Sequence, residues 1–333
     1  MEYRSSRKAP TSGTSLSNQR FDAMTLADVC ADLILTGNVR PRFHQVEQFV
    51  EYSVQLGGSG AIFASQMARL GTSTAMLGWL GKDIFGDYVC AELERSGIDI
   101  GGLRRHESAQ TCLGVALSEP GDRAMLTHLG ALAAASPADL RPELLRKCRH
   151  WHVAGYFLLP RLRPAWSGWL KQCRAAGVTT SLDTNWDPEE RWEGVRELLP
   201  LIDVFLPNEA EALSISGQAD VDSAARKLAG YGPLVVVKRG AEGALAVKGG
   251  QRWKLHPSES PYRPARIVDT TGAGDNFDAG FLRAWLGGEA VGACLHLGHR
   301  CAVSSLEYPG GIAGQICDPG NPGSFEEMEV EAI

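Results

Sequence analysis

The stretch Asp269-Thr270-Thr271-Gly272-Ala273-Gly274-Asp275-Asn276-Phe277-Asp278-Ala279-Gly280 decides how this chain is read. Small residues at 272–274 precede a carboxylate, and Phe277, Phe281, Ala284 and Trp285 follow at helical spacing. The pattern predicts a glycine turn that opens a helix with an acid in its first turn. A helix start carries free N–H groups and a partial positive charge, which together attract phosphate. Gly272 and Gly274 have no side chains, so an anion can approach the backbone of 272–274. Asp275 is then a carboxylate beside a phosphate-binding turn, placed to take a proton from a hydroxyl attacking phosphorus. The plainer alternative is a common glycine turn whose acid only complements the helix dipole.

Outward from this stretch, 333 residues allow one large domain or two ordinary ones. The composition, 44% hydrophobic and 22% charged, suits a globular protein with a sizeable core. A formal net charge of −6 without a basic block argues against a nucleic-acid partner. No apolar run reaches membrane-spanning length, and the polar residues 1–20 read as a tail, as does the stretch from Asp318 onward. Eight cysteines without a C-x-x-C pair fit a reducing cytoplasm. Cys294, His296, His299 and Cys301 fall on two different faces of a helix, so core cysteines are expected there rather than a zinc site.

Strand-like and helix-like segments alternate. Strands are expected at Thr25–Leu35, Thr74–Leu80, Trp151–Leu158, Thr179–Asp183, Val204–Pro207 and Leu234–Lys238, and a hairpin around Gly249-Gly250. Helices are expected at Ala61–Leu70, Phe85–Ser96, Ala165–Ala176 and Ser223–Gly230, and from about Gly272 and Val291. This order predicts an α/β fold with a mostly parallel central sheet flanked by helices, with ligands beyond the carboxyl ends of the strands. The segments 36–56 and 97–128 break the alternation and read as a small β lid.

Several motifs fail specific tests. Gly57-Gly58-Ser59-Gly60 lacks the third small residue of a dinucleotide fingerprint, because Phe63 stands there. Gly81-Lys82-Asp83 lacks the spacing of a Walker loop, and Asp183, Asn185 and Asp187 lack the glycine and final acid of a calcium loop. Other residues keep a chemical reading. Asp32, expected at a strand end, can accept hydrogen bonds from two adjacent hydroxyls. Lys238 or Arg239 can neutralise nucleotide phosphate, and Gly240 and Gly243 permit a tight turn beside an adenosine.

The run GAGD, with its companions in order, resembles the signature of the ribokinase-like (PfkB) family of sugar and nucleoside kinases. The resemblance spans about 24–317. It implies a ribokinase-like fold with a β-sheet lid, the domain occupying 21–317. GGSGAIFASQMARLG resembles the N-terminal signature of the family, in which Gly57 and Gly58 approach sugar hydroxyls, but Ile62 stands where the family usually has Asn. By the same resemblance Asp32 binds substrate, and Arg123 faces it from the lid. Asn185 lies near the transferred phosphate, and Asn208 with Glu211 organises Mg²⁺, water and phosphate. Asp183 helps to hold a water-bound metal, and His299 falls beside the adenine where many relatives have Asn. Asp269 and Thr271, with the loop around Gly310, match a monovalent-cation site of some members. ATP and Mg²⁺ are thereby implied, K⁺ is left open, and pairing of two copies through the lid is the implied assembly. Asp275 would act as base and the N–H groups of Gly272, Ala273 and Gly274 as anion hole, toward a primary hydroxyl of a small sugar or sugar acid. A nucleoside kinase of the same fold and a non-catalytic sugar-binding regulator stay open as alternatives.

Overall fold

The computed structural model describes residues 16–44, 47–119, 122–317 and 330–332, the side chains of Asp122, Arg123, Glu259 and 330–332 excepted. Of the tails expected at 1–20 and 318–333, residues 1–15, 318–329 and 333 lie outside the described residues, and 330–332 pair as a strand with Gln251–Trp253. In chain order the elements begin with β1 (Phe21–Leu26), β2 (Cys30–Gly37), β3 (Val50–Gly57), α1 (Ser59–Arg69), β4 (Thr74–Gly81) and α2 (Ile84–Arg95). Next come β5 (Asp99–His106), β6 (Leu113–Glu119), β7 (Asp122–His128), β8 (Cys148–Val153), α3 (Arg163–Ala175), β9 (Thr179–Leu182) and α4 (Val195–Leu198). They are followed by β10 (Val204–Phe205), α5 (Glu209–Ser216), α6 (Val221–Ala229), β11 (Leu234–Lys238), β12 (Ala244–Lys248) and β13 (Gln251–Leu255). The last are α7 (Ala273–Leu286), α8 (Val291–Ser305) and β14 (Val330–Ala332).

Ten of these strands form one sheet in the order β14-β13-β12-β11-β10-β9-β8-β1-β4-β5. From β5 to β11 the pairings are parallel, and β12, β13 and β14 close one edge antiparallel. Period-2 alternation drives the layering. In β11, Val235 and Val237 face one apolar cluster with Trp151 and Trp166, while Leu234 and Val236 face the other with Phe63 and Phe281. The chain runs from β1 to β4 and β5 on one side and returns to β8, β9 and β10 on the other. That reversal beside β1 is the switch point at which ligands bind in open α/β sheets.

The small sheet has the order β3-β2-β6-β7. Its boundaries correct the sequence reading in two places. The expected strand Thr25–Leu35 is two strands in two sheets, broken at Ala27–Val29. Segment 97–112, expected in the lid, instead gives β5 to the edge of the large sheet, paired with β4. Residues 16–20, expected in the tail, also pack down: Leu16 is buried and Lys147 Nζ donates to the Ser17 carbonyl at 2.8 Å. Trp151–Leu158 is likewise shorter as a strand, since β8 ends at Val153 and a 3-10 turn covers Tyr156–Leu158. No helix among the described residues is long and apolar enough to cross a membrane.

Candidate active site

The break after β1 supplies a residue that the sequence reading missed. Asp28 is buried at the switch point and accepts from the Ser59 backbone N–H at 2.8 Å, the Ser59 hydroxyl at 2.8 Å and the Gly60 N–H at 3.1 Å. It therefore satisfies free N–H groups at the start of α1 from outside that helix. Ser59 Oγ also lies 3.0 Å from Asn185 Oδ1, which accepts from the Gly155 N–H at 2.9 Å. Asn185 follows β9 with φ 55°, a left-handed conformation that Asn tolerates better than most residues. The carboxyl ends of β1, β8 and β9 are thus tied together by one polar network.

Asp32 lies within β2 and not at a strand end, and it is buried. Its neighbours across the small sheet explain how it fits: a Cβ at Gly57 on β3 or at Gly114 on β6 would overlap the Asp32 carboxylate. The two glycines leave a slot for a charged group. The Gly58 Cβ position collides with the Asp28 carbonyl, so that glycine is also required by packing. Arg123 belongs to β7, paired with Ser118, and its side chain lies outside the described residues.

Gly272 caps α7 with φ 72°, and a Cβ there would meet Gly311 Cα at 2.8 Å and Ile62 Cδ1 at 2.9 Å. Glycine is needed on both counts. Asn276 Nδ2 pins the turn by donating to the carbonyls of Gly272 at 2.9 Å and Gly311 at 2.8 Å. The Ala273 N–H turns to the Thr270 carbonyl at 3.3 Å, so it is less available to an anion than the resemblance implies. Asp269 accepts from the Thr271 N–H and hydroxyl and from the Gly310 N–H at 2.8–2.9 Å, which braces the loop before the turn. Ile62 is buried against Gly272 and Gly311 as an apolar buttress for that turn.

These parts face one cavity of about 200 Å³. Asp28, Asp32, Ser59, Asn185, Gly272 and Asp275 give it a polar side, and Ile62, Met125, Leu129, Leu132 and Leu158 an apolar one. A cavity of about 150 Å³ accommodates a benzene ring, so this one suits a molecule of one ring.

Further along the same sheet edge, Asn208 Oδ1 accepts from the Glu211 N–H at 2.9 Å and Glu211 Oε2 from the Asn208 N–H at 2.8 Å, a reciprocal cap for α5. Burial, reinforced by the Asp183 charge, raises the Glu211 carboxyl to about 7, against the pull of Lys238. Lys238 is turned inward to Asp183 and Asp278. Asp183 accepts from Lys238 Nζ with one oxygen and from the Asn185 N–H with the other. Burial alone would raise the Asp183 carboxyl, but Lys238 and its hydrogen bonds hold it below the usual range. Gly243 is required sterically, because a Cβ would overlap the Leu255 carbonyl, and Gly240 opens the 3-10 turn before it. Arg239 pairs with Glu209 at 2.8 Å. His299 is buried with Nε2 3.3 Å from the Tyr262 carbonyl, and burial lowers its pKa. Cys294 and Cys301 are buried free thiols.

The sequence profile of the pfkB family carbohydrate kinases matches residues 22–316. The chain therefore belongs to that family. An uncharacterized sugar kinase of Archaeoglobus fulgidus is 29% identical over 250 residues, covering 74% of this chain and 97% of the relative. A cytidine kinase of Thermococcus kodakarensis is 28% identical over 254 residues, covering 75% and 87%. Among solved structures, a putative ribokinase II of E. coli in complex with ATP and Mg²⁺ superposes with TM-score 0.80 at 23% identity, covering 92% of this chain and 98% of that one. The ribokinase-like fold and the assignment as a carbohydrate kinase stand on these matches and on the two-sheet architecture.

Proposed function

We propose that the protein transfers the terminal phosphoryl group of ATP to a primary hydroxyl of a small sugar or sugar acid. The observation that carries this reading is the single cavity that Asp32 from the small sheet shares with Gly272 and Asp275 at the start of α7. Asp32 accepts hydrogen bonds from substrate hydroxyls. Asp275 takes the proton of the attacking hydroxyl. The backbone at 272–274 and the α7 dipole stabilise charge on the phosphoryl oxygens, with the N–H groups of Gly272 and Gly274 better placed than that of Ala273. The small sheet is the lid that excludes water as a competing acceptor.

A hydrated Mg²⁺ fits Glu211, a buried carboxylate that a cation would hold ionised, and such an ion takes few protein ligands beside the phosphates. When bound, Mg²⁺ neutralises charge on the ATP phosphates. Asp269 serves as a loop brace, with K⁺ dependence an outcome to be measured. Two copies pair through the small sheet, where Tyr52 and Leu126 are exposed. The free cysteines suit a reducing cytoplasm.

The apolar wall of Ile62, Met125, Leu129, Leu132 and Leu158 favours a second reading, a nucleoside as acceptor. ADP release measured over sugars, sugar acids and nucleosides, with and without K⁺, separates them. Sugar-dependent ADP supports the first reading and nucleoside-dependent ADP the second. Sugar binding without any ADP leaves a non-catalytic binding protein.

A further inference from the structure

The phosphoryl-transfer scheme gives no task to Asp278, yet this carboxyl is 0% exposed directly behind the catalytic turn. Lys238, at the end of β11, donates to Asp183 Oδ2 at 2.7 Å and to Asp278 Oδ2 at 2.9 Å. The three side chains come from β11, from the end of β9 and from α7 one turn after Asp275, so no local motif accounts for their meeting. A buried ammonium needs compensation, but one acid would provide it, and a second buried acid adds its own desolvation cost. Burial pushes the Asp278 carboxyl well above the usual carboxylate range; Lys238 opposes this and the adjoining Asp183 adds to it.

An ammonium has three N–H donors. Two of those on Lys238 are spent on the acids. A Cβ at Gly274 would lie 3.5 Å from Lys238 Nζ, so the ammonium sits against the turn assigned to phosphate. We infer that Asp278 is a positioning residue: with Asp183 it anchors Lys238 so that the remaining N–H of the ammonium meets the terminal phosphate of the nucleotide at the start of α7. This rests on the kinase reading of that turn. Lys238 would then share the task of the backbone, where the Ala273 N–H is partly diverted to Thr270.

The test is equilibrium binding of ATP and of ADP to the full chain with Mg²⁺, for the wild type, Asp278→Ala, Asp278→Asn, Lys238→Met and the double variant Asp278→Ala/Lys238→Met. Loss of one charge-assisted hydrogen bond predicts that Lys238→Met and Asp278→Ala weaken ATP about ten- to a hundred-fold relative to ADP. In the Lys238→Met background Asp278→Ala costs nothing more, because both act through one ammonium. Asp278→Asn, which keeps an oxygen acceptor and the same shape, restores most of the ATP preference. Equal weakening of ATP and ADP, or additive effects in the double variant, overturns the inference. Where Asp278→Ala is not recovered folded, an unchanged ATP-to-ADP ratio in Lys238→Met overturns it alone. A wild type that binds neither nucleotide refutes the kinase reading and this inference together, whereas wild-type ATP binding with an unchanged ratio in the variants refutes only the inference.

Discussion

A methyl group added at Gly114 or Gly57 should damage sugar recognition and leave the nucleotide site intact. Gly114 sits opposite Asp32 across the β2–β6 register, and its Cβ would overlap Asp32 Oδ1 while standing 3.3 Å from Cγ and 3.4 Å from Met125 Cε. Its φ lies outside the left-handed region, so the backbone accepts alanine. The whole effect falls on the carboxylate, which must rotate. An off-rotamer side chain costs about 0.5–1.5 kcal/mol. One lost charge-assisted hydrogen bond to a hydroxyl costs about 1.5–3 kcal/mol more. The sum of about 2–4.5 kcal/mol corresponds to a sugar KM raised by one to three decades. A Cβ at Gly57 would overlap Cγ and both oxygens of Asp32, so Gly57→Ala should be the more severe of the two. The assay is ADP release with the sugar and then ATP varied, alongside a thermal melt. The ATP KM should move little, and overpacking of about 1–3 kcal/mol should lower Tm by a few degrees. Folded Gly57→Ala and Gly114→Ala proteins with unchanged sugar KM would refute the assignment of Asp32 to the substrate.

Two further perturbations test the scaffold. Ile62→Ala should cost about 2–5 kcal/mol, read as a lower urea midpoint, because a buried side chain is removed from against Gly272 and Gly311. It should also lower kcat by loosening the turn, and an unchanged midpoint would contradict the buttress. His150 and His152 both contact Ser181 Oγ at 2.7 Å, and burial lowers each to about 3. A depressed folded pKa gives stability that is present above the unfolded value near 6.5 and lost as pH falls. At pH 5.5 each imidazole should therefore cost about 1.4 kcal/mol relative to pH 7.5. His150→Gln and His152→Gln should each flatten this acid limb in urea titrations; an unchanged limb in both would rule out buried neutral histidines.

The parallel sheet and the helix at 273 were legible because their signals are local: apolar runs such as Leu234–Lys238, and glycines before an acid. The break after Leu26 was not, since Ala27–Val29 contains neither Gly nor Pro and the chain turns there so that Asp28 can reach α1, 31 residues on. Strand β5, with the sequence DIGGLRRH, lacks apolar alternation and is held by its pairing with β4. At the cavity, Gly272 and Asp275 stand out in the sequence as a glycine before an acid, whereas Asp32, expected at a strand end, lies within β2. Lys238 was readable as a cation, but its direction depends on Asp278, 40 residues away on α7 and apparent only once the sheet and helix are packed. Gly114 gave no motif signal, because its role is to leave room for a carboxylate on a neighbouring strand.

The most direct measurement compares turnover of the wild type and Asp275→Asn with the acceptor that gives the highest ADP release. The account predicts acceptor-dependent ADP from the wild type and a kcat about 10²–10⁴-fold lower for Asp275→Asn, with ATP and acceptor still bound. An Asp275→Asn protein that turns over at the wild-type rate would contradict it.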